Sequence, residues 1–231
     1  MRSLIELVTW VSAWSRRLFR LRVRSSDSKP LKLNLGCGLA VHRGWINIDG
    51  SLNAMIAGWP RIVHSIAYRL SGANRYYGFP EYDRLLSECL FFHADLTHGI
   101  PAPDGSADFI YSSHFLEHLY YKDAEKLLSE CHRVLKPGGV LRICVPDLEH
   151  ACRLIAEGRK HEALTSYFFV EDKASSFARH RYMYDFELLS HVLEKLGFTA
   201  ISRQSYQRGV TPDIRFLDNR PEETLFVEAV R

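Results

Sequence analysis

The sequence predicts an α/β fold, a doubly wound and mostly parallel sheet, with an amphipathic helix at its N-terminus. Three observations carry this. Short apolar runs recur between residues 31 and 147, bounded by glycine turns and ending in carboxylates. Segments with helical spacing alternate with them from residue 51 onward. The first run enters Gly36-Cys37-Gly38, and the second ends in Asp49, the anatomy of a nucleoside site at the carboxyl edge of a parallel sheet.

The first 24 residues stand apart. Leu4, Leu7, Val8, Val11, Trp14 and Leu18 recur at helical spacing, and Arg16, Arg17, Arg20, Arg22 and Arg24 follow. Glu6 and Ser12 interrupt the stripe, which is too short to span a bilayer. Three uses fit it: a lid packed on the domain, an interfacial helix on an anionic membrane through residues 3–21, or an organelle transit peptide. Residues 25–30 read as a polar linker, and 31–231 as the catalytic domain.

Leu31, Leu33 and Leu35 alternate with Lys32 and Asn34, which gives the first strand. Trp45-Ile46-Asn47-Ile48 is the second. Ten residues separate Gly38 from Asp49, whereas a full crossover needs about a dozen or more. A short helix or a loop is therefore expected between them. Residues 51–90 form an insertion longer than a helix-and-turn link requires, with a loose helical pattern over 56–70. It either covers the site or packs on the sheet.

Phe91 to Ala94 is a third strand, ending in Asp95-Leu96. Asp104-Gly105 turns into a fourth over 106–113. Ala124, Leu127, Leu128, Cys131, Val134 and Leu135 face one side of a helix over 122–136, stopped by Pro137-Gly138-Gly139. A fifth strand follows to Asp147. Asp185 opens a further helix with Leu188, Leu189, Val192, Leu193 and Leu196 inward and Gly197 after its end. Residues 198–206 and 224–230 close the sheet.

Composition fits one soluble enzyme. Of 231 residues, 46% are hydrophobic and 25% charged, enough for one sizeable core. A net charge of +3 does not argue for a nucleic-acid partner, and basic residues are not interleaved with stacking aromatics. Cys37, Cys89, Cys131, Cys144 and Cys152 are odd in number and contain no CxxC pair. Neither a disulfide framework nor a zinc knuckle is suggested, so a reducing, cytoplasmic setting is expected.

The glycine turn narrows the ligand. A dinucleotide fingerprint needs a third glycine where Val41 stands, and no Gly-Lys-Ser/Thr follows. The ligand therefore carries a ribose without a pyrophosphate. Asp49 can accept from both ribose hydroxyls.

LNLGCG (33–38), NID (47–49), HADL (93–96), FIYSSHFLEHL (109–119) and RVLKPGGVLRICVPD (133–147) occur together and in this order. The chain thereby resembles class I S-adenosylmethionine-dependent methyltransferases of the type 11 group, whose fold is Rossmann-like. The family's usual acid two residues before the first glycine is Asn34 here. The resemblance implies S-adenosylmethionine as cofactor, bound by Asn34, Gly36, Cys37, Gly38, Asp49, Asp95, Leu96, Ser112 and His114. It matches Asp95 to the adenine amino group; an ordinary turn cap is the alternative for that carboxylate.

Methyl transfer needs alignment more than acid–base chemistry, with a base when the nucleophile is a hydroxyl or protonated amine. Candidates are His114, Asp147 and His180, the last in a cluster with Arg181, Tyr182 and Tyr184. His114-Phe115-Leu116-Glu117-His118 also matches H-x-x-E-H, the zinc signature of inverted metallopeptidases. Its position after the fourth strand argues against that use, and no metal is expected; His118 reads as structural. The expected reaction is O-methylation of a small-molecule or glycan/lipid-linked acceptor. A nucleic-acid methyltransferase, a nicotinamide-dependent oxidoreductase and a non-catalytic cofactor-binding protein are the alternatives.

Overall fold

A computed structural model describes residues 2–18, 23, 29–170 and 179–231, with 2–6 and 16–18 described by their main chain only. Most of the expected linker at 25–30 lies outside the described residues, as do Arg20, Arg22 and Arg24.

Seven strands form one sheet: β1 (Lys32–Leu35), β2 (Ile46–Asp49), β3 (Leu90–His93), β4 (Ala107–Ser113), β5 (Leu135–Pro146), β6 (Thr199–Gln204) and β7 (Thr224–Val230). Their order is β3-β2-β1-β4-β5-β7-β6. The pairs from β3 through β5 are parallel, while β7 runs antiparallel to both neighbours. The chain builds outward from β1 to β3, then returns to the other side of β1 with β4. This reversal opens a crevice at the carboxyl ends of β1 and β4.

Alternation sorts each strand onto two different faces. Leu33, Leu35, Ile48, Ile110, Leu141, Ile143, Val145, Leu225 and Val227 share the main apolar core. Helices α5 (Tyr121–Val134) and α8 (Phe186–Lys195) press Leu127, Leu128, Cys131, Leu189 and Leu193 into it. The opposite residues build a mixed face. Trp45, Tyr111, Cys144 and Phe226 pack there with Leu217 of the short α9 (Ile214–Leu217). Arg142 and Glu228, also on this face, are buried with Asp218.

The expected strands and helices are present, with local differences. No helix occupies 39–45, so the β1–β2 crossover is a loop. The helical pattern of 56–70 is broken at Gly58-Trp59-Pro60 into α2 (Leu52–Ile56) and α3 (Arg61–Leu70). With α4 (Phe79–Glu88) these pack Ile56, Ala67, Tyr82 and Leu86 into a core of the insertion's own. Helix α5 stops at Val134 because Leu135 already pairs with Ala107 as β5 begins. Asp185 caps α8 through the Leu188 amide at 2.8 Å, and Gly197 follows at φ 92°. Leu188 itself is exposed, a correction to its expected inward position.

The N-terminal stripe forms α1 (Arg2–Leu18). Its described apolar side chains Leu7, Val8, Trp10, Val11 and Trp14 point outward, each 46–56% exposed. Ser12 lies on the inward side, with Oγ 3.3 Å from His93 Nδ1. No helix of the described residues is long and apolar enough to cross a membrane.

Candidate active site at the β1–β4 crevice

The glycine loop leaves β1 through two left-handed residues, Gly36 at φ 63° and Gly38 at φ 52°, a conformation that costs other residues a Cβ clash. The two glycines have different neighbours. A Cβ on Gly36 would overlap the ring of Phe115, whereas one on Gly38 would meet open space. Gly36 lets Phe115 close over the loop, and Gly38 leaves main chain bare to a ligand.

Asp49 ends β2 beside this loop. Its Oδ2 accepts from the Gly38 amide at 2.9 Å and its Oδ1 from the Ser51 amide at 2.7 Å. Each carboxylate oxygen retains a lone pair for a further donor. Asp95 follows β3 and caps a 3-10 turn, Leu96–His98. Its Oδ1 accepts from the Thr97 amide and hydroxyl at 3.0 and 2.7 Å. The capping alternative is thus realised, and the carboxylate stays partly exposed at the same sheet edge.

Other residues expected at the cofactor have positional roles. Asn34 is 1% exposed, and its Nδ2 donates to Ala40 O at 2.9 Å and Asn47 Oδ1 at 3.0 Å. It staples the glycine loop to β2. Leu96 places its side chain in the main core. Ser112 is buried and donates to Leu35 O across the β1–β4 pair. Cys37 is buried; burial and the adjacent Asp49 push its thiol well above the usual range.

His114 follows β4 with φ 49°, a strained value for a non-glycine residue, its amide donating to Cys144 O. Strain of this kind clusters at functional sites. The 3-10 turn Leu116–His118 follows. Glu117 in that turn is 1% exposed, and neither carboxylate oxygen has a hydrogen-bond partner. His114 Nδ1, also buried without a partner, lies 3.4 Å from Glu117 Oε1. His118 Nε2 lies 3.8 Å from the same oxygen. Burial alone would raise the Glu117 carboxyl; the flanking His114 and His118 outweigh it and hold it below the usual range.

A distant segment completes this cluster. The Arg181 and Tyr182 amides both donate to Glu117 O, at 2.7 and 3.3 Å. This brings the His180 ring to 5.2 Å from that of His118. Burial lowers the His180 imidazole. The sequence brings His114 and His180 forward as separate candidates; the fold joins them through Glu117.

Asp147 does not join them. Its Oδ1 caps α6 (Leu148–Ala156) through the Glu149 amide at 3.0 Å, and its Oδ2 pairs with Arg203 at 2.7 Å. Both oxygens serve the fold, which corrects its expected use as a base.

A family described as "Methyltransferase domain" matches residues 65–143. The match spans α3 to mid-β5 and leaves out the glycine loop. A curated relative from Mycolicibacterium smegmatis, described as "Probable S-adenosylmethionine-dependent methyltransferase", is 40% identical over 57 residues, 23% of this chain. The aligned part is 21% of that protein, so the chain spans about a fifth of its length. Two solved structures share the fold at TM-scores of 0.50. A SAM-dependent methyltransferase from Archaeoglobus fulgidus is 15% identical, covering 96% of this chain and 94% of its own. A "possible histamine N-methyltransferase" from Thermotoga maritima is 14% identical, covering 98% and 91%.

Proposed function

We propose that this chain carries a class I methyltransferase domain and transfers the methyl group of S-adenosylmethionine to a small-molecule or glycan/lipid-linked hydroxyl. The observation that carries the reading is the arrangement at the strand-order reversal: a left-handed glycine loop open at Gly38, with Asp49 beside it and Asp95 on the same edge. These residues fit a ribose and an adenine without a pyrophosphate. The cofactor would supply a methyl group on a sulfonium, already a good leaving group. Asp49 would hold the ribose hydroxyls, Asp95 the adenine amino group, and the Gly36–Gly38 main chain would lie against the ligand. His114, just after β4, and His180, brought beside the same turn through Glu117, supply proton acceptors for a hydroxyl nucleophile. The insertion with α2 to α4 supports a shaped site for a small acceptor.

Calorimetry with S-adenosylhomocysteine tests this reading. Hydrogen bonds to a charged group are worth roughly 1.5–3 kcal/mol. Asp49→Asn keeps the side chain's shape but removes the charge, and should weaken binding by about 10- to 100-fold. Wild-type affinity in that variant refutes the ribose assignment. Label from radioactive cofactor entering only RNA or protein in a cell extract refutes the small acceptor.

We also propose that α1 contacts a membrane surface. Its exposed Leu7, Val8, Trp10, Val11 and Trp14 support an interfacial helix rather than a lid, whose apolar side would face the domain. A second exposed row, Trp59, Ile62, Ile66 and Leu70, occupies α3 and the turn before it. The arginines after α1 would add about 1 kcal/mol each near an anionic surface. Full-length protein should sediment with anionic vesicles, release at high salt, and stay in the supernatant when residues 1–24 are deleted. Failure to sediment at low salt makes α1 a packing element only.

A further inference from the structure

We propose that Glu117, His118 and His180 form a binding site for a divalent transition metal of the zinc class. One ligand atom of each lies within 4.8 Å of the others. The independent observation is the state of Glu117: a carboxylate 1% exposed, with both oxygens lacking any hydrogen-bond partner. A buried carboxylate is costly unless it is paired, hydrogen-bonded or bound to a metal. Hydrogen bonds do not account for this one, and its charge-bearing neighbours among the described residues are the His114 and His118 imidazoles at 3.4 and 3.8 Å, themselves groups that ligate metals.

The histidines are oriented as metal ligands are. A ligating imidazole usually donates its second N–H to a carbonyl or carboxylate, which fixes the tautomer and the ring. His118 Nδ1 lies 3.2 Å from Arg179 O, and His180 Nδ1 lies 2.6 Å from Tyr167 O. A carbonyl can only accept, so Nδ1 is the donor in each ring, and Nε2 is the atom left to bind a metal when the ring is neutral. The two amides bonded to Glu117 O fix the approach of the His180 segment. Two imidazoles and one carboxylate suit zinc, with positions left for water or substrate. His114 Nδ1, 3.4 Å from Glu117 Oε1, is a fourth donor within reach of small adjustments.

This set differs from the H-x-x-E-H pattern in the sequence. That pattern needs two histidines one helical turn apart, but Leu116–His118 is a 3-10 turn, and the third ligand comes from residue 180. A metal here, beside the turn after β4, would hold and acidify an acceptor hydroxyl, and would take that task over from His180, whose Nε2 it would occupy. That use rests on the methyl-transfer reading; metal binding does not.

The test is metal content and affinity of the full-length protein. After dialysis against zinc and then metal-free buffer, mass spectrometry should find about one zinc per chain, since tight sites survive such exchange. Cobalt titration should give visible absorption of a low-symmetry site. Changing even a supporting residue costs about 10- to 100-fold in affinity, so Glu117→Gln and His180→Ala should each cost more. His161→Ala, an exposed side chain on the short α7 (Lys160–Ala163), should change nothing. Zinc should raise the unfolding midpoint of the wild type and leave that of the two ligand variants unmoved, which separates ligand loss from misfolding. A wild type that retains no zinc and gives no cobalt spectrum overturns the proposal. Equal retention by Glu117→Gln and His180→Ala overturns it too. Neither result bears on S-adenosylhomocysteine binding, measured separately.

Discussion

Arg142→Met should destabilise the fold by about 3–5 kcal/mol, the cost of leaving buried charges without their partner. Arg142 sits mid-β5 and is fully buried. Its Nε and Nη2 donate to the two oxygens of Asp218 at 3.0 and 2.6 Å. Nη1 donates to Glu228 Oε1 at 3.2 Å and to Arg208 O at 2.9 Å. Glu228 in turn accepts from the Val210 and Thr211 amides. One guanidinium thus ties β5, β7 and the 205–218 segment together. Methionine leaves two carboxylates buried without the cation they share. For a chain of this size, about 2–4 °C per kcal/mol applies, so the thermal midpoint should fall by roughly 6–20 °C. Replacing Asp218 and Glu228 by apolar residues in the same variant removes the uncompensated charge but should restore only part of the loss, because the Gln207, Val210 and Thr211 amides then lose their acceptors. A single variant within about 1 kcal/mol of the wild type in urea unfolding would show that water reaches this network.

Gly36→Ala should damage stability and ligand binding together. At φ 63° alanine costs about 1–2 kcal/mol in backbone strain alone. Its Cβ would also occupy the space of the Phe115 ring, and displaced Phe115 drags His114 and the 116–118 turn with it. S-adenosylhomocysteine affinity should fall by more than about tenfold. Gly38→Ala offers the contrast. It shares the backbone strain but meets open space, so its stability loss should be the smaller. Phe115→Ala should partly rescue Gly36→Ala, giving a double variant more stable than the sum of single effects. Urea midpoints and calorimetry on the four proteins check this; purely additive effects would remove Phe115 from the explanation.

The succession of strands and helices along the chain is legible because each element that positions the site announces itself locally. Glycines, turn residues and strand-end acids stand at fixed places along 31–147, and the amphipathic face of α5 needs no partner to be recognised. What escaped depends on residues distant in sequence. Arg142 looks like one polar residue in an apolar strand; its meaning needs Glu228 at the centre of another apolar run, a cross-strand partner in the β5–β7 register. Likewise Glu117 and His180 are 63 positions apart, brought together by main-chain bonds that leave no trace in side-chain patterning. Helical spacing alone gives a face too wide at its rim, which is why it places Leu188 inward. Strand-end acids resemble one another until their donors are known, which is why Asp147 reads as a base.

The sheet's two margins have a bearing on how the molecule keeps to itself. An open, straight strand at a margin invites another chain to add on and seed aggregation. Here β3 offers only four residues. On the far side, β6 slips register between Thr199 and Ser202, with Ala200 at φ 46°. It also carries Arg203, whose charge is spent on Asp147 and Glu149. A short margin and a kinked one both spoil the template for a foreign strand, so sheet extension is blocked by shape at either end.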